Sequence, residues 1–429
     1  MKRKGVVLAA VVTLCSILTT GCAGAAEEET AADAAVSAED VQSAETSGDD
    51  GVVSLTIWAE ETNHEMLGKM AESFKQEYAG QAEFDIQIAV STDAQTKSTV
   101  LSDIHNAADV FFFADDQLSS LAAGGALAKV PNADEIKAAN TEGSVAAASI
   151  GDVLYAYPMT ADNGFFLYYD KTYFTDEDVQ TLDRILEVAA ENEKKFSMEW
   201  DSGWYLYAFF GNTGLEFGIN DDGVTNYCNW NTTEGDVTGV DIVNAMLDIS
   251  ASPGFLNLPD SEFIAGVQEG TIIAGVSGVW NAMEIQAAWG SDYGAVKLPT
   301  FTCAEKQIQM SSFVGYKMAG ANAYSDHVDW AIKLADWVTN EQNQVLRFEE
   351  RNQGPSNIKA AASDAVNKVP AIQAVIAQSE YGVLQRVGNN YWDPFVNFGE
   401  NLAAGNPSGT EPQEIIDTLV AGITASTVN

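Results

Sequence analysis

The sequence predicts the α/β fold class. Apolar strands and amphipathic helices alternate regularly between residues 53 and 123, a pattern typical of a lobe with a largely parallel sheet. A chain of 429 residues is also too long for one simple core and indicates two or three domains. The apolar fraction of 46% is sufficient to fill those cores.

The predicted elements follow from side-chain periodicity. The predicted strands are rich in β-branched and aromatic residues, and the predicted helices place apolar side chains on one face. Strands are predicted at residues 53–58, 84–90, 109–113, 272–276, 295–298 and 314–318. Helices are predicted at residues 66–78, 96–105, 117–123, 180–190, 199–211, 238–249 and 328–338, and capping boxes at 339–342 and 410–413 are predicted to open two more.

The segment 155–171 organises the rest of the chain. Two aromatic-rich runs, 153–157 and 165–169, flank a short polar stretch and are both predicted to be strands. Pro158 cannot donate to a sheet ladder, so the first strand is expected to end there. One interpretation is that the chain leaves one lobe and enters a second, with Asp162 and Asn163 at the crossing. An ordinary hairpin fits these residues equally well.

Charge excludes one class of partner. The chain has 62 acidic residues against 21 lysines and arginines, a formal net charge of -41. A nucleic-acid-binding protein needs a basic face to neutralise phosphates, so no nucleic-acid partner is expected. So large an excess of one sign favours a soluble monomer. The mean hydropathy of -0.07 argues against a protein with several membrane spans.

The first 51 residues are predicted to be a targeting segment. Lys2–Lys4 precede a short apolar run, and the sequence before Cys22 resembles a bacterial lipobox, in which the cysteine is lipidated. The expected arrangement is a lipoprotein signal peptide at 1–21 and a disordered acidic tether at 22–51. It predicts attachment to the extracellular face of the cell membrane, as in Gram-positive bacteria. A plain signal peptide that is cleaved nearby is the alternative.

Signatures of catalysis and of metal binding are absent from the sequence. No phosphate-binding loop is present, and residues 275–278 miss the spacing of a nucleophile elbow by one residue. The three histidines are scattered, so neither a serine triad nor a zinc site is expected, and no cofactor is predicted. Cys228 and Cys303 could form one disulfide, but their spacing does not decide it.

Aromatic residues recur beside carboxylates and amides at predicted strand or loop ends. Sugars have apolar faces that stack on aromatic rings and hydroxyl groups that need hydrogen-bond partners, so such pairs suit a carbohydrate. Large aromatics also fill cores, and for any single tryptophan that is the better interpretation. The pairs are Trp58 with Glu60 and Glu61, Phe113 with Asp115 and Asp116, Trp204 with Asp201, Trp280 with Asn281, and Trp392 with Asp393.

Several short stretches along the chain resemble one family. From residue 53 onward the chain is similar to the maltose-binding-protein-like, family 1 extracellular solute-binding proteins of ABC transporters. The matching stretches are LTIW at 55–58, DVFFFADD at 109–116, AYP at 156–158, YDK at 169–171, GVW at 278–280, LPTF at 298–301, FVG at 313–315 and YW at 391–392. Their order and spacing agree with the family along the predicted folded part.

The resemblance implies a two-lobed, type II periplasmic-binding-protein-like fold, with a ligand cleft between lobes joined by several hinge segments. The implied N-lobe comprises residues 52–159 and 314–364, and the implied C-lobe comprises 160–313 and 365–429. Closure of the hinge would enclose an oligosaccharide, with a maltodextrin favoured, for delivery to the transmembrane subunits of an ABC permease.

The resemblance also implies roles for individual residues. Phe113, Trp204, Trp280 and Trp392 stand where sugar-stacking aromatics stand in the family. Asp116 matches a hydroxyl-binding aspartate, and Asp162 lies close to a hydroxyl-binding glutamate. The full predicted binding set is Trp58, Glu60, Glu61, Phe113, Asp115, Asp116, Asp162, Asn163, Trp204, Trp280, Asn281, Tyr391 and Trp392.

Two rival functions remain open at this point. A secreted glycoside hydrolase would need a pair of acids across the scissile bond, and Asp116, Asp162 and Glu60 could supply them. The same fold could instead bind a peptide or a polyamine, because an acidic groove suits a cation.

Overall fold

The structure is a computed structural model that describes residues 51–220 and 222–426. The predicted signal peptide, the lipidation site Cys22 and nearly all of the tether lie outside the described residues. Within the described ranges, no helix combines the length and the apolar character that a membrane crossing requires.

Strands and helices alternate through the described part of the chain. The strands are β1 (Val52–Ala59), β2 (Glu83–Val90), β3 (Val110–Ala114), β4 (Ser149–Ile150), β5 (Val153–Leu154), β6 (Tyr157–Asp170), β7 (Lys195–Ser197), β8 (Phe217–Ile219), β9 (Asn226–Cys228), β10 (Phe255–Leu256), β11 (Ile272–Gly278), β12 (Tyr293–Val296), β13 (Thr300–Cys303), β14 (Lys306–Gln309), β15 (Ser312–Ala321) and β16 (Gly382–Leu384). The helices are α1 (His64–Glu77), α2 (Thr96–Ser102), α3 (Leu118–Ala123), α4 (Ala133–Ala139), α5 (Glu142–Ala147), α6 (Leu182–Glu191), α7 (Gly203–Phe210), α8 (Gly239–Ala251), α9 (Asp260–Gln268), α10 (Ala282–Trp289), α11 (Val328–Thr339), α12 (Glu341–Arg351), α13 (Ile358–Ala361), α14 (Pro370–Ser379), α15 (Pro394–Ala403) and α16 (Pro412–Ile423).

One mixed sheet runs through the molecule. Its strand order is β10-β7-β11-β6-β15-β3-β1-β2, with β12 also paired to β6 and β16 to β15. The flanking pairs β1–β2, β1–β3, β7–β10 and β7–β11 are parallel, as predicted for α/β units. The central pairs that involve β6 or β15 are antiparallel, apart from β15–β16, so the expectation of a largely parallel sheet holds only on the flanks.

The polar segment at 159–163 lies inside one long strand. β6 pairs with β15 through Thr160 and Asn163 and then with β11 through residues 165–169, so the chain passes from one half of the sheet into the other. The hairpin alternative is therefore wrong. The expectation for Pro158 is also wrong, because Pro158 is the second residue of β6. Its missing N–H is tolerated there because the ladder to β15 is irregular at this point.

Three clusters of buried side chains define the two lobes, one in the N-lobe and two in the C-lobe. We call the half built on β1, β2 and β3 the N-lobe and the half built on β7, β10, β11 and β12 the C-lobe. In the N-lobe, α1 buries the predicted face, including Leu67, Met70 and Phe74. In the C-lobe, Phe165 and Tyr168 of β6 face clusters on opposite sides of the sheet, which explains the uninterrupted apolar run there. The lobe boundaries given above stay a prediction.

The helix starts at 339–342 and 410–413 differ from the capping boxes expected there. Thr339 is the last residue of α11, and its hydroxyl donates to the Ala335 carbonyl at 2.8 Å. The cap of α12 is Asn340, whose side chain accepts from Asn343 N–H at 2.9 Å. Helix α16 begins at Pro412 without a side-chain cap, because proline already has the helical φ angle and no N–H to satisfy.

Cys228 and Cys303, the cysteines of the described part of the chain, do not form a disulfide. Cys228 on β9 and Cys303 on β13 are both free thiols. Burial raises the pKa of Cys228 to about 12 and that of Cys303 to about 11, so both thiols stay protonated and unreactive at neutral pH.

Close packing inside the C-lobe predicts the effect of one glycine substitution. A Cβ at Gly399 would lie 1.4 Å from the Trp200 carbonyl oxygen. Gly399→Ala should lower the free energy of unfolding by roughly 3 kcal/mol, because the backbone must move to relieve the overlap. The check is the urea midpoint of the variant.

The matched control is Gly68→Ala in α1, where a Cβ meets nothing within 4 Å. A glycine inside a helix costs about 0.5–1 kcal/mol relative to alanine, so this variant should gain stability. Equal urea midpoints for the two variants would contradict the packing described here.

Candidate functional site

A cleft of about 570 Å³ lies between the N-lobe and the C-lobe. Part of its wall comes from residues just past the carboxyl ends of β1, β3 and β11, which is where ligands bind in open α/β sheets. The lining residues are Glu60, Asp93, Ala94, Ala114, Asp116, Gln117, Asn163, Ser202, Trp204, Asp260, Trp280, Lys317, Gln385 and Trp392. A second cavity of about 300 Å³ adjoins it and shares Asp116 and Trp392.

Three of the predicted tryptophans line this cleft. Trp204 is in the first turn of α7 and stacks on Phe313 with ring centroids 5.5 Å apart and planes inclined by 22°. Trp280 is in the short turn that follows β11. Trp392 precedes α15 and meets the same Phe313 ring at 5.9 Å. The cleft therefore has partly exposed aromatic rings supported from behind by a buried one.

Two predicted aromatics lie in cores instead. Phe113 is fully buried among the N-lobe side chains, because helices and loops cover both faces of β3. Tyr391 is fully buried in the C-lobe, and its hydroxyl donates to the Gly203 carbonyl at 3.2 Å. Both rings belong to the predicted binding set, but neither lines the cleft. Tyr391 instead supports Trp392, with their ring centroids 4.8 Å apart.

Of the three binding residues predicted near the end of β1, only one lines the cleft. Glu60 lines the cleft, whereas Glu61 is exposed and lies outside it. Trp58 is half-buried against the N-lobe core and does not line the cleft. Glu60 and Glu61 both lie beyond the end of β1, and Glu61 begins a short 3-10 helix, so strand alternation could not have separated them.

Asp115, which is buried, and Asp116, which is half-buried, follow the end of β3. Asp115 lines the second cavity and accepts a hydrogen bond from Tyr316 N–H at 3.1 Å, while Asp116 lines both cavities. Burial raises the pKa of Asp115 to about 7 and that of Asp116 to about 6. These carboxyls can therefore change protonation close to neutral pH.

The crossing residues lie at the base of the cleft. Asn163 lines it and donates to Gln385 Oε1 at 3.3 Å. Asp162 lies behind the cleft wall, where it accepts from Gly354 N–H, and burial raises its pKa to about 6. Asn281 also lies outside the lining, and its amide donates to Asp260 Oδ2 at 2.8 Å. Asp162 and Asn281 thus organise the site instead of facing it.

Sequence reasoning missed several residues of the cleft. Lys317 on β15 forms an ion pair with Asp93, Nζ to Oδ2 at 2.9 Å. Burial lowers the pKa of Lys317, but the carboxylates of Asp93 and Glu60 outweigh that effect and raise it above its ordinary value, so the side chain is charged. Gln117 donates to the Asp93 carbonyl at 2.8 Å and fixes that loop. Asp260 carried no sequence signal, because only the fold brings it to Trp280.

Comparison with known proteins identifies the family. The family model described as bacterial extracellular solute-binding protein matches residues 69–374. The chain belongs to this family. Its members are binding proteins and not enzymes, which removes the basis for the glycoside hydrolase alternative. Within the described residues, no group of three or more acidic, histidine or cysteine side chains could hold a metal ion.

Individual relatives of this solute-binding protein bind sugars. It is 27% identical over 330 residues to the galactooligosaccharide-binding protein of Bacillus subtilis (strain 168). The matched region covers 72% of this chain and 74% of the relative. A solved structure with acarbose is 28% identical, with a TM-score of 0.78 over 87% of this chain and 99% of that one. The maltose/maltodextrin-binding domain from Bdellovibrio bacteriovorus bound to maltotriose is 20% identical, with a TM-score of 0.74 over 86% and 98%, and confirms the fold.

The buried carboxyl of Asp115 predicts a pH dependence of stability. Its pKa rises from 3.8 to about 7 on folding, so between these values the folded protein holds a proton that the unfolded chain has lost. The stabilising contribution is complete below about pH 4 and is lost as the pH rises through about 7. In Asp115→Asn, which keeps an acceptor for Tyr316 N–H, the free energy of unfolding should fall less between these pH values. Urea denaturation across this range provides the measurement.

Asp178 supplies the control of opposite sign. Hydrogen bonds from Thr175 lower its pKa to about 2, so its contribution is lost only as the pH falls below about 4. Asp178→Asn should leave the slope between pH 4 and 7 unchanged. If Asp115→Asn has the same slope as the wild type, the inferred protonation is wrong.

Proposed function

We propose that this protein captures an oligosaccharide, most favourably a maltodextrin, in the cleft and delivers it to an ABC permease. The observation that carries the proposal is the convergence of Trp204, Trp280 and Trp392 on one cleft from three distant parts of the chain. Partly exposed indole rings in a single cleft suit the apolar faces of sugar rings. A cleft of about 570 Å³ with an adjoining cavity of about 300 Å³ suits several rings better than one.

The polar lining fits a neutral polyol. Asp93 is paired with Lys317, while Glu60 and Asp116 remain as acceptors for hydroxyl groups. Asn163 and Gln385 add amides at the base. Hydroxyl groups both donate and accept, so they match such a mixture.

The lining as a whole, more than its charge, favours a sugar over the polyamine and peptide alternatives. Four carboxylates, those of Glu60, Asp93, Asp116 and Asp260, line the cleft against the single ammonium of Lys317, so the charge alone would also suit a polycation. Three indole rings beside carboxylates and amides match the apolar faces and the hydroxyl groups of a sugar together.

Binding is expected to favour a closed state. A ligand that contacts Trp280 of the C-lobe and Asp116 of the N-lobe interacts with both lobes at once, so its differential affinity shifts the equilibrium toward closure. The hinge would comprise β6, β15 and the segment before α14, with lobe boundaries as predicted from the sequence. The closed form is the one offered to the permease.

The remaining parts of the proposal rest on the sequence. A lipid on Cys22 and the acidic tether 22–51 would hold a monomer at the extracellular face of the membrane. One acyl chain gives only reversible membrane binding, so stable anchoring needs two. A cysteine that carries two acyl chains would meet this requirement at one residue.

A galactooligosaccharide is the second candidate ligand, because the Bacillus subtilis relative is named for it. Calorimetric titration of residues 52–429 with maltotriose and with a galactooligosaccharide separates the two. We expect saturable one-to-one binding of maltotriose, with no sugar released on prolonged incubation. Binding of the galactooligosaccharide alone would replace the proposed ligand, and binding of neither would contradict the carrier function for these sugars.

Removing the stacking rings tests the cleft itself. Trp280→Ala and Trp392→Ala should each cost roughly 1–3 kcal/mol of binding free energy, because each removes a ring from a desolvated site. Titration with the sugar bound by the wild type provides the measurement. Trp289→Ala, outside the cleft at the end of α10, is the control and should bind normally. Wild-type affinity in the double variant at 280 and 392 would rule out the cleft as the binding site.

A further inference from the structure

We propose that Asp260 is a positioning residue that holds the Trp280 ring in a fixed orientation as a preformed sugar platform. The proposal rests on the proposed function for its ligand, but the geometry that carries it involves only side chains of the C-lobe. The sequence by itself gave no signal for Asp260.

The Asp260 carboxylate is fully engaged by protein donors. Its Oδ2 accepts from Trp280 Nε1 and from Asn281 Nδ2, both at 2.8 Å. Its Oδ1 accepts from Ser277 Oγ at 2.7 Å and more weakly from the Tyr205 hydroxyl at 3.4 Å. A carboxylate has about four acceptor positions, and all four are used. Asp260 therefore lines the cleft without a free lone pair for a ligand, and its role is to hold Trp280.

The carboxylate is itself held in place. Asp260 is the first residue of α9, where the helix dipole favours a negative charge. Its backbone N–H donates to Glu199 Oε2 at 2.8 Å. Helix α9 packs tightly on β11, since a Cβ at Gly275 would lie 2.4 Å from the Phe263 ring. The acceptor for the indole N–H thus belongs to a rigid part of the C-lobe.

Gly278 fixes the other edge of the indole. A Cβ at this position would lie 2.1 Å from Trp280 Cζ3, so the six-membered ring rests directly on the glycine backbone. The φ angle of Gly278 is -102°, which any residue can adopt, so the requirement for glycine comes from the ring and not from the backbone. The Lys317 ammonium lies 5.8 Å from the centre of the ring.

These contacts define a preorganised surface. The N–H edge of the indole is hydrogen-bonded and its opposite edge is packed, so the ring cannot rotate without losing both contacts. A ring already in its binding orientation loses no rotamer freedom when a sugar stacks on it. Without the Asp260 carboxylate, the ring would have to be ordered when the sugar binds, and this entropic cost would lower the affinity.

The test combines Asp260→Asn with Trp280→Phe. Asparagine keeps the size of the side chain but removes its charge. Its amide group can donate to the Ser277 and Tyr205 hydroxyls, and the one remaining oxygen is a weaker acceptor for Trp280 Nε1 and Asn281 Nδ2 than a carboxylate. Asp260→Asn should weaken maltotriose binding about tenfold, the loss expected for one hydrogen bond to a charged group. Phenylalanine has no N–H, so in the Trp280→Phe background the same change should weaken binding less than about twofold.

A spectroscopic measurement reports the ring directly. The difference in near-ultraviolet circular dichroism between the wild type and Trp280→Phe isolates the band of Trp280. Asp260→Asn should reduce that band, because a mobile ring loses its fixed asymmetric surroundings. Gly278→Ala should also reduce the band and weaken binding, without any change of charge.

Asp241→Asn is the matched control. Asp241 also accepts two hydrogen bonds in the C-lobe, from Thr238 N–H at 2.8 Å and its hydroxyl at 2.7 Å, but it caps α8 away from the cleft. The variant loses the same charge and should lose stability, yet it should keep wild-type affinity and the Trp280 band.

Two results would overturn the proposal. One is wild-type affinity and an unchanged band in Asp260→Asn, and the other is an equal penalty in the Trp280→Phe background, which would indicate that Asp260 acts independently of the ring. If the wild type binds neither maltotriose nor a galactooligosaccharide, the proposed function fails, and the band in Asp260→Asn still decides whether Asp260 orders the ring.

Discussion

The antiparallel pairing of β6 with β15 is the constraint on which the rest of the structure depends. β6 continues from this pair into the C-lobe ladder with β11, and β15 continues into the N-lobe ladder with β3. The two lobes therefore share one sheet and do not merely lie side by side. Because both strands cross together, they place Asn163 and Lys317 at the base of the cleft.

The shared strands carry polar groups that would be costly in an ordinary sheet centre. Asp162 and Asn163 are both buried, and each has a partner from the segment that follows α12 or β16, namely Gly354 N–H and Gln385. Burying a polar group costs stability unless it is hydrogen-bonded. Segments 353–355 and 382–386 therefore supply the hydrogen-bond partners that Asp162 and Asn163 need. Segment 382–386 also brings Gln385 to the cleft.

The charged side chains of the cleft have two different roles. Asp93 with Lys317 and Asp260 with Trp280 are internal pairs that hold the walls in place. Glu60 and Asp116 are left to face a ligand. Side chains that are immobilised by their neighbours lose less conformational freedom when a ligand binds, so under the proposed function the internal pairs would contribute to affinity without touching the sugar.

The sequence alone determined the fold class, most element positions and the three cleft tryptophans. Periodicity and strand-end chemistry are local properties, so the face of α1 and the position of Trp280 after β11 could be predicted from neighbouring residues. The family resemblance added the pairing of lobes that local patterns cannot supply.

Only the tertiary structure decided which predicted residues line the cleft. Phe113 and Trp204 look alike in sequence, but β3 is covered on both faces whereas the first turn of α7 is open to the cleft. Asp260 is 20 residues from Trp280 along the chain and meets it only because α9 packs on β11. Burial and such long-range contacts depend on how elements pack, and the order of residues along the chain does not record that packing.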